Sequence, residues 1–119
     1  MAPAIAGAVA DHNWAVLEDP TLEVVGAAYY APELFSDGVW NLLFLAVREG
    51  LQGQGGGRRM VQFVEAALRH AGARILIIET SGVGSFAATR AFYGKLGYHE
   101  EARIRGFYGP GEDKVIFAS

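Results

Sequence analysis

The chain has 119 residues, 51% of them hydrophobic and 19% charged, with a formal net charge of −3; this ordinary globular composition excludes a disordered chain and a coiled coil. So slight an acidity leaves no broad basic face for nucleic acid or an anionic membrane, and an anionic ligand must be held by local geometry instead. No cysteine is present, which excludes disulfides, thiolate catalysis and cysteine-ligated metal.

A chain of this length is read as one domain spanning residues 1–119, with a core that needs no covalent staple. The apolar start at 2–10 lacks a basic stretch before it and is short for a signal sequence. No run approaches the roughly 20 apolar residues of a membrane span. A cytoplasmic protein is the expectation.

Residues 14–18 and 22–30 are two runs rich in β-branched and aromatic side chains around Asp19-Pro20-Thr21, a turn composition, and they predict a hairpin. After Pro32 and Ser36-Asp37-Gly38, residues 39–47 are nearly all apolar, as in a strand buried on both faces at the centre of a sheet. Beyond a glycine-rich stretch at 50–57, Val61, Val64, Leu68 and Ala71 recur at spacings of three and four. Met60, Phe63 and Ala67 widen that face and Gly72 supplies a stop, so an amphipathic helix lies on the sheet. Residues 74–79 are a second short apolar strand, parallel to the first because a helix connects them, which gives a central βαβ unit.

Residues 85–96 predict a second helix with Phe86, Thr89, Phe92, Tyr93 and Leu96 on one stripe and Gly97 at its end. Strands at 98–107 and 114–118 then flank a connection over 108–113 as a C-terminal antiparallel hairpin. The fold class is α/β, a mixed twisted sheet with helices packed on it.

Gln52-Gly53-Gln54-Gly55-Gly56-Gly57-Arg58 stands between a buried strand and a helix start, where free backbone N–H groups and the positive end of the helix dipole point outward together. Glycines remove the Cβ atoms that would hold a pyrophosphate away and permit positive φ, so the segment reads as a phosphate cradle, with Arg58 or Arg59 at its rim. A dinucleotide fold fits poorly, because Arg58 occupies the third glycine position of that fingerprint. A nucleoside triphosphatase lacks its Gly-Lys-Ser/Thr closure.

Leu45-Ala46-Val47 followed by this loop resembles the strand and the Gln/Arg-x-x-Gly-x-Gly/Ala loop of the GNAT acetyltransferases. About 35 residues on, Ala91-Phe92-Tyr93-Gly94-Lys95-Leu96-Gly97-Tyr98 resembles that family's second signature, Phe-Tyr-x-Lys-Leu-Gly-Phe/Tyr. The resemblance runs from Trp14 to the carboxyl terminus. It implies an acetyl-coenzyme A-dependent N-acetyltransferase without a metal, in which a primary amine of a small molecule or peptide attacks the thioester directly. The implied coenzyme contacts are Leu45, Ala46 and Val47 on a splayed strand; Gln52, Gly53, Gln54, Gly55, Gly56, Gly57 and Arg58 in the loop; and Thr89, Phe92 and Lys95 on the second helix.

Tyr93 matches the family's general acid; a phenol pKa of about 10 lies above a thiol pKa of about 8.5, so its proton is retained at neutral pH. The other face of that assignment is an ordinary helix-to-sheet contact. Glu79, at the end of a buried strand, is a general base if burial raises its pKa, or a strand-end hydrogen-bonding group. Thr80 and Ser81 stand beside it as substrate contacts.

His12, His70 and His99 are scattered, which argues against metal ligation. Glu100, Glu101, Glu112 and Asp113 read as a solvated hairpin rim or as an attractor for a cationic amine. Two departures from the family stand out. Phe86 occupies the place of an asparagine that contacts the coenzyme, and about a dozen residues precede Trp14 where the family has a strand and two helices. The expectations that follow are an acceptor wall supplied by a partner in a homodimer or, alternatively, a non-catalytic acyl-coenzyme A-binding or regulatory module.

Overall fold

The computed structural model describes residues 4–6, 13–21 and 23–119, the first three by backbone alone. His12 and Leu22 lie outside the described residues. The chain divides into two compact units, Met1–Arg74 and Ile75–Ser119.

In the first unit, strands β1 (Ala4–Ala6), β2 (Asn13–Glu18), β3 (Val24–Pro32) and β4 (Val39–Val47) pair antiparallel in that order. Helix α1 (Gly56–His70) packs on β2, β3 and β4. The expected hairpin forms because Asp19 organises its turn: one carboxylate oxygen accepts from the Thr21 hydroxyl at 2.6 Å, the Thr21 N–H at 2.9 Å and the Glu23 N–H at 3.1 Å. Those bonds, that of the Thr21 hydroxyl first, hold the Asp19 carboxyl below its ordinary value.

The helix buries Met60, Val61, Val64 and Leu68, the stripe read from periodicity, against a sheet face that contributes Ala15, Leu17, Ala28 and Tyr30. At Gly26 the two layers approach so closely that a Cβ would stand 2.9 Å from the Met60 sulfur.

Strand β4 differs from expectation. Leu43 is 51% and Phe44 47% exposed, so β4 is not buried on both faces. The reason for Phe44 is that α1 covers one face of this unit's sheet, while Trp14, Tyr29 and Phe44 form a cross-strand aromatic row on the other, with Trp14 centroids 5.0 Å from Tyr29 and 5.9 Å from Phe44. Leu43 is skipped where the β3–β4 register shifts between Tyr29 and Tyr30.

The second unit places β7 (Glu112–Ala118) between β5 (Ile75–Ser81) and β6 (His99–Gly109), antiparallel to both. A 3₁₀ turn, Gly84–Phe86, leads into helix α2 (Ala87–Lys95). Leu76, Ile78, Tyr93, Tyr98, Val115 and Phe117 form its core. Phe86 is 42% exposed and not part of the buried stripe, because it precedes the helix.

The closing hairpin is tighter than predicted: Gly109 pairs with Glu112, so only Pro110 and Gly111 turn the chain. Proline followed by a glycine at φ +74° is the residue order of a type II turn. Glu100 and Asp113 are held by Arg103 at 3.6 and 3.0 Å, which fits the rim reading.

Candidate functional site

Each unit carries one group of the expected site residues. In the first, Leu45, Ala46 and Val47 end β4, paired with Ala28, Ala27 and Gly26 of β3. The chain then leaves the sheet under the control of Arg48, whose backbone N–H donates to Val25 O at 2.7 Å. Its guanidinium reaches Val24 O at 2.7 Å and Glu23 at 3.1 Å. A turn closed by the Leu51 N–H on Arg48 O follows, and the Gln52 amide returns to Val47 O at 3.4 Å.

Gly53 and Gly55 adopt φ of +81° and +83°, and a Cβ on either would meet nothing within 4 Å. These glycines are present for backbone conformation, and their open side leaves backbone N–H groups accessible. Gly55 is the N-cap of α1, without a side-chain cap, and no acidic residue occupies the first turn. The first bond of the helix ladder runs from Arg59 N–H to Gly55 O at 3.0 Å, so the N–H groups ahead of it have no helical partner.

Gly56, Gly57 and Arg58 therefore belong to the first helical turn and not to the loop. Gly56 lies close against the sheet: a Cβ there would stand 3.2 Å from Leu17 Cδ2, a tight contact that the leucine end must yield to. Beside this turn lies a cavity of about 230 Å³ with an apolar wall of Leu17, Val25, Val47 and Leu51. Asp19, Gln54, Gly56 and Arg59 complete it. Arg59 thus faces the cavity while Arg58 is exposed. A concave, mostly apolar pocket flanked by uncapped N–H groups suits the pyrophosphate and adjoining chain of a coenzyme.

In the second unit, Tyr93 projects from α2 into the core, 5% exposed. Its ring meets those of Phe92 at 5.1 Å, Phe117 at 6.1 Å and Tyr98 at 6.2 Å. Burial pushes its phenol up to about 12 from an ordinary 10.0, and no described group hydrogen-bonds its hydroxyl. Thr89 lies one turn earlier on the same helix, and Lys95 is exposed in the last turn, where a cation complements the helix dipole.

Glu79 on β5 is engaged by the Lys114 ammonium at 2.9 Å. That ammonium also sits 3.6 Å over the Phe107 ring. Lys114 carried no signal in the sequence, since only the β5–β7 pairing brings it to Glu79. Thr80 and Ser81 are buried at 8% exposure each. His70 and His99 are exposed at element ends. Among the described residues no three His, Asp or Glu side chains stand together as a metal site, and no helix is long and apolar enough to cross a membrane.

The family model described as acetyltransferase (GNAT) family matches residues 3–98. Among solved structures, a GNAT-family protein from Desulfovibrio desulfuricans is 32% identical at a TM-score of 0.87, with 92% of this chain and 69% of that one covered. The ribosomal-protein-S18-alanine N-acetyltransferase of Escherichia coli is 24% identical at a TM-score of 0.77, with 92% and 69% covered. A GNAT family acetyltransferase from Elizabethkingia anophelis with acetyl-CoA bound is 16% identical at a TM-score of 0.80, with 91% and 75% covered. These last two likenesses show the fold alone. Comparison with curated proteins gives no match. The α/β fold class expected from the sequence is the one these structures share.

Proposed function

The chain belongs to the GNAT family of acetyltransferases, and from that premise we propose that it moves the acetyl group of acetyl-coenzyme A to a primary amine of a small molecule or peptide. The observation that carries this reading is the glycine turn running into an uncapped helix start with no acidic residue in its first turn. Gln52 to Arg58 hold the pyrophosphate through backbone N–H groups, and the end of β4 at Leu45, Ala46 and Val47 binds the pantetheine and polarises the thioester carbonyl. Thr89, Phe92 and Lys95 complete the coenzyme contacts. Residues 1–119 act as one domain in this reading, in the cytoplasm and with a partner copy walling the acceptor site.

In the transfer, the amine nitrogen attacks the carbonyl carbon, the carbon–sulfur bond breaks, the nitrogen gives up one proton and the sulfur gains one. Tyr93 is the hydrogen-bond donor to the departing sulfur. A phenol at about 12 surrenders its proton to a thiolate of ordinary pKa, about 8.5, only uphill, by about 5 kcal/mol. Tyr93 therefore stabilises the sulfur while the proton released by the nitrogen completes the balance. Glu79, once its ion pair with Lys114 opens, takes that proton from the nitrogen and returns it to solvent, from which the thiolate is protonated. The Lys114–Glu79 pair at 2.9 Å equally favours a second reading, a module that binds acyl-coenzyme A without turnover.

Calorimetry with acetyl-coenzyme A tests the proposal, comparing wild type with a folded variant carrying Gly55→Val and Gly57→Val. Valine at the positive φ of Gly55 is strained by about 1–2 kcal/mol and blocks the N–H face. Micromolar binding lost in the variant is the expected result. A folded wild type that does not bind refutes both readings, and binding without acetylation across a panel of amines selects the second.

A further inference from the structure

The second unit holds a cation that the proposed chemistry does not use. Arg90, partly buried in the first turn of α2, donates from Nη1 to the carbonyl oxygens of Ser81 at 2.9 Å and Val83 at 2.8 Å. These two bonds occupy both N–H groups of one guanidinium nitrogen. The three on Nε and Nη2 meet no acceptor among the described residues, and no described carboxylate lies within ion-pair distance of Arg90. Arg48 and Arg103, by contrast, each pair with a carboxylate.

A guanidinium held in this way is oriented before any ligand arrives, so little rotamer freedom remains to be lost on binding. Its unused donors form a planar fork, which matches an oxyanion accepting two parallel N–H bonds. A brace for two carbonyls needs no charge, and a partly desolvated cation without a counter-charge is costly. The surroundings leave room: Ser81 ends β5, a Cβ on Gly84 would meet nothing within 4 Å, and no acidic residue stands in the first turn of α2.

We propose that Arg90 is an anion receptor for a phosphate or carboxylate group at the junction of β5 and α2. It rests on the acetyl-transfer reading only for the origin of that group, which is a phosphate of the coenzyme or an acidic group on the amine acceptor.

The direct test is ¹⁵N-resolved NMR of the arginine Nε–H groups at pH 6 in the full chain, titrated with inorganic pyrophosphate. The Arg90 signal is identified by its loss in Arg90→Lys. A saturable shift of that signal, with Arg48 and Arg103 unmoved, is expected at millimolar concentration. No shift up to about 50 mM, well beyond a millimolar dissociation constant, overturns the proposal whether or not the protein binds acetyl-coenzyme A.

Arg90→Gln then separates the sources, because it keeps an amide donor for the carbonyls and removes charge and fork. A coenzyme phosphate is the ligand if coenzyme A binds about 10- to 100-fold more weakly, the loss of a charge-assisted pair of bonds. An acidic acceptor is the ligand if coenzyme affinity holds while KM rises by that factor for anionic amines and stays constant for neutral ones. Arg90→Lys recovers part of either loss. If Arg90→Gln lowers Tm and moves neither affinity, Arg90 is a loop brace and the proposal falls. A wild type that binds pyrophosphate at Arg90 but not acetyl-coenzyme A refutes acetyl transfer and leaves the receptor standing.

Discussion

Replacing Tyr93 with phenylalanine removes one hydroxyl that no described group hydrogen-bonds and leaves the ring contacts with Phe92, Tyr98 and Phe117 intact. The consequence is a specific change in how stability depends on pH. The folded-state phenol is pushed from 10.0 to about 12 by burial, so the folded state holds its proton more tightly than the unfolded chain does. Below pH 10 both states are protonated and the stabilisation is fully present. Between pH 10 and 12 the unfolded chain loses its proton first, and stability falls as pH rises.

Two pH units correspond to about 2.7 kcal/mol in all, of which about 1.4 kcal/mol is lost by pH 11. Urea unfolding of wild type and Tyr93→Phe at pH 8 and pH 11 measures this as a double difference, which cancels the other titrating groups, including Tyr30, whose phenol is also raised by burial. At pH 8 the two proteins differ by less than about 1 kcal/mol, since no hydrogen bond is lost. At pH 11 wild type has fallen by about 1.4 kcal/mol more than the variant. A double difference below about 0.4 kcal/mol refutes the claim that the folded phenol is desolvated.

The same variant lowers kcat by about 100- to 1,000-fold if its hydroxyl donates a hydrogen bond to the departing sulfur, with coenzyme affinity unchanged by calorimetry; an unchanged kcat removes Tyr93 from the chemistry. Glu79→Gln lowers kcat by about 100-fold or more if the carboxylate takes the amine proton, and leaves it unaltered if Glu79 serves only to hold Lys114. Gly26→Ala forces a Cβ to within 2.9 Å of the Met60 sulfur and 3.2 Å of Ala46 O. It costs about 1–3 kcal/mol by thermal unfolding, with a result inside experimental error showing that the helix shifts freely on the sheet.

What the sequence disclosed divides along the range of the interactions concerned. The body of α1 was legible because Met60, Val61, Val64 and Leu68 repeat at helical spacing, and the β2–β3 hairpin was legible because Asp19 bonds to residues two and four positions on. The helix start was read too late: glycine carries no periodic signal, yet the ladder already begins with Arg59 N–H on Gly55 O and Gly56 is helical. Strand β1 was missed, since Ala-Ile-Ala has no pattern of its own and exists through pairing with β2. The apolar run of β4 reported hydrophobicity but not which faces a helix would cover.

The site divides in the same way. A glycine turn into a helix start is written in consecutive residues, because its donors are backbone groups and glycine is what frees them, so Gln52 to Gly57 could be proposed as a phosphate cradle from the sequence. Charged side chains take their meaning from partners instead. Lys114 is an unremarkable lysine until β7 sets it beside Glu79, and Arg90 is one more helical arginine until the carbonyls of Ser81 and Val83 hold it with no carboxylate among the described residues in ion-pair reach. Motif reading therefore finds the part of a site made of backbone and is weakest for its charge balance, and in this chain the charge balance is what Arg90→Gln and Glu79→Gln measure.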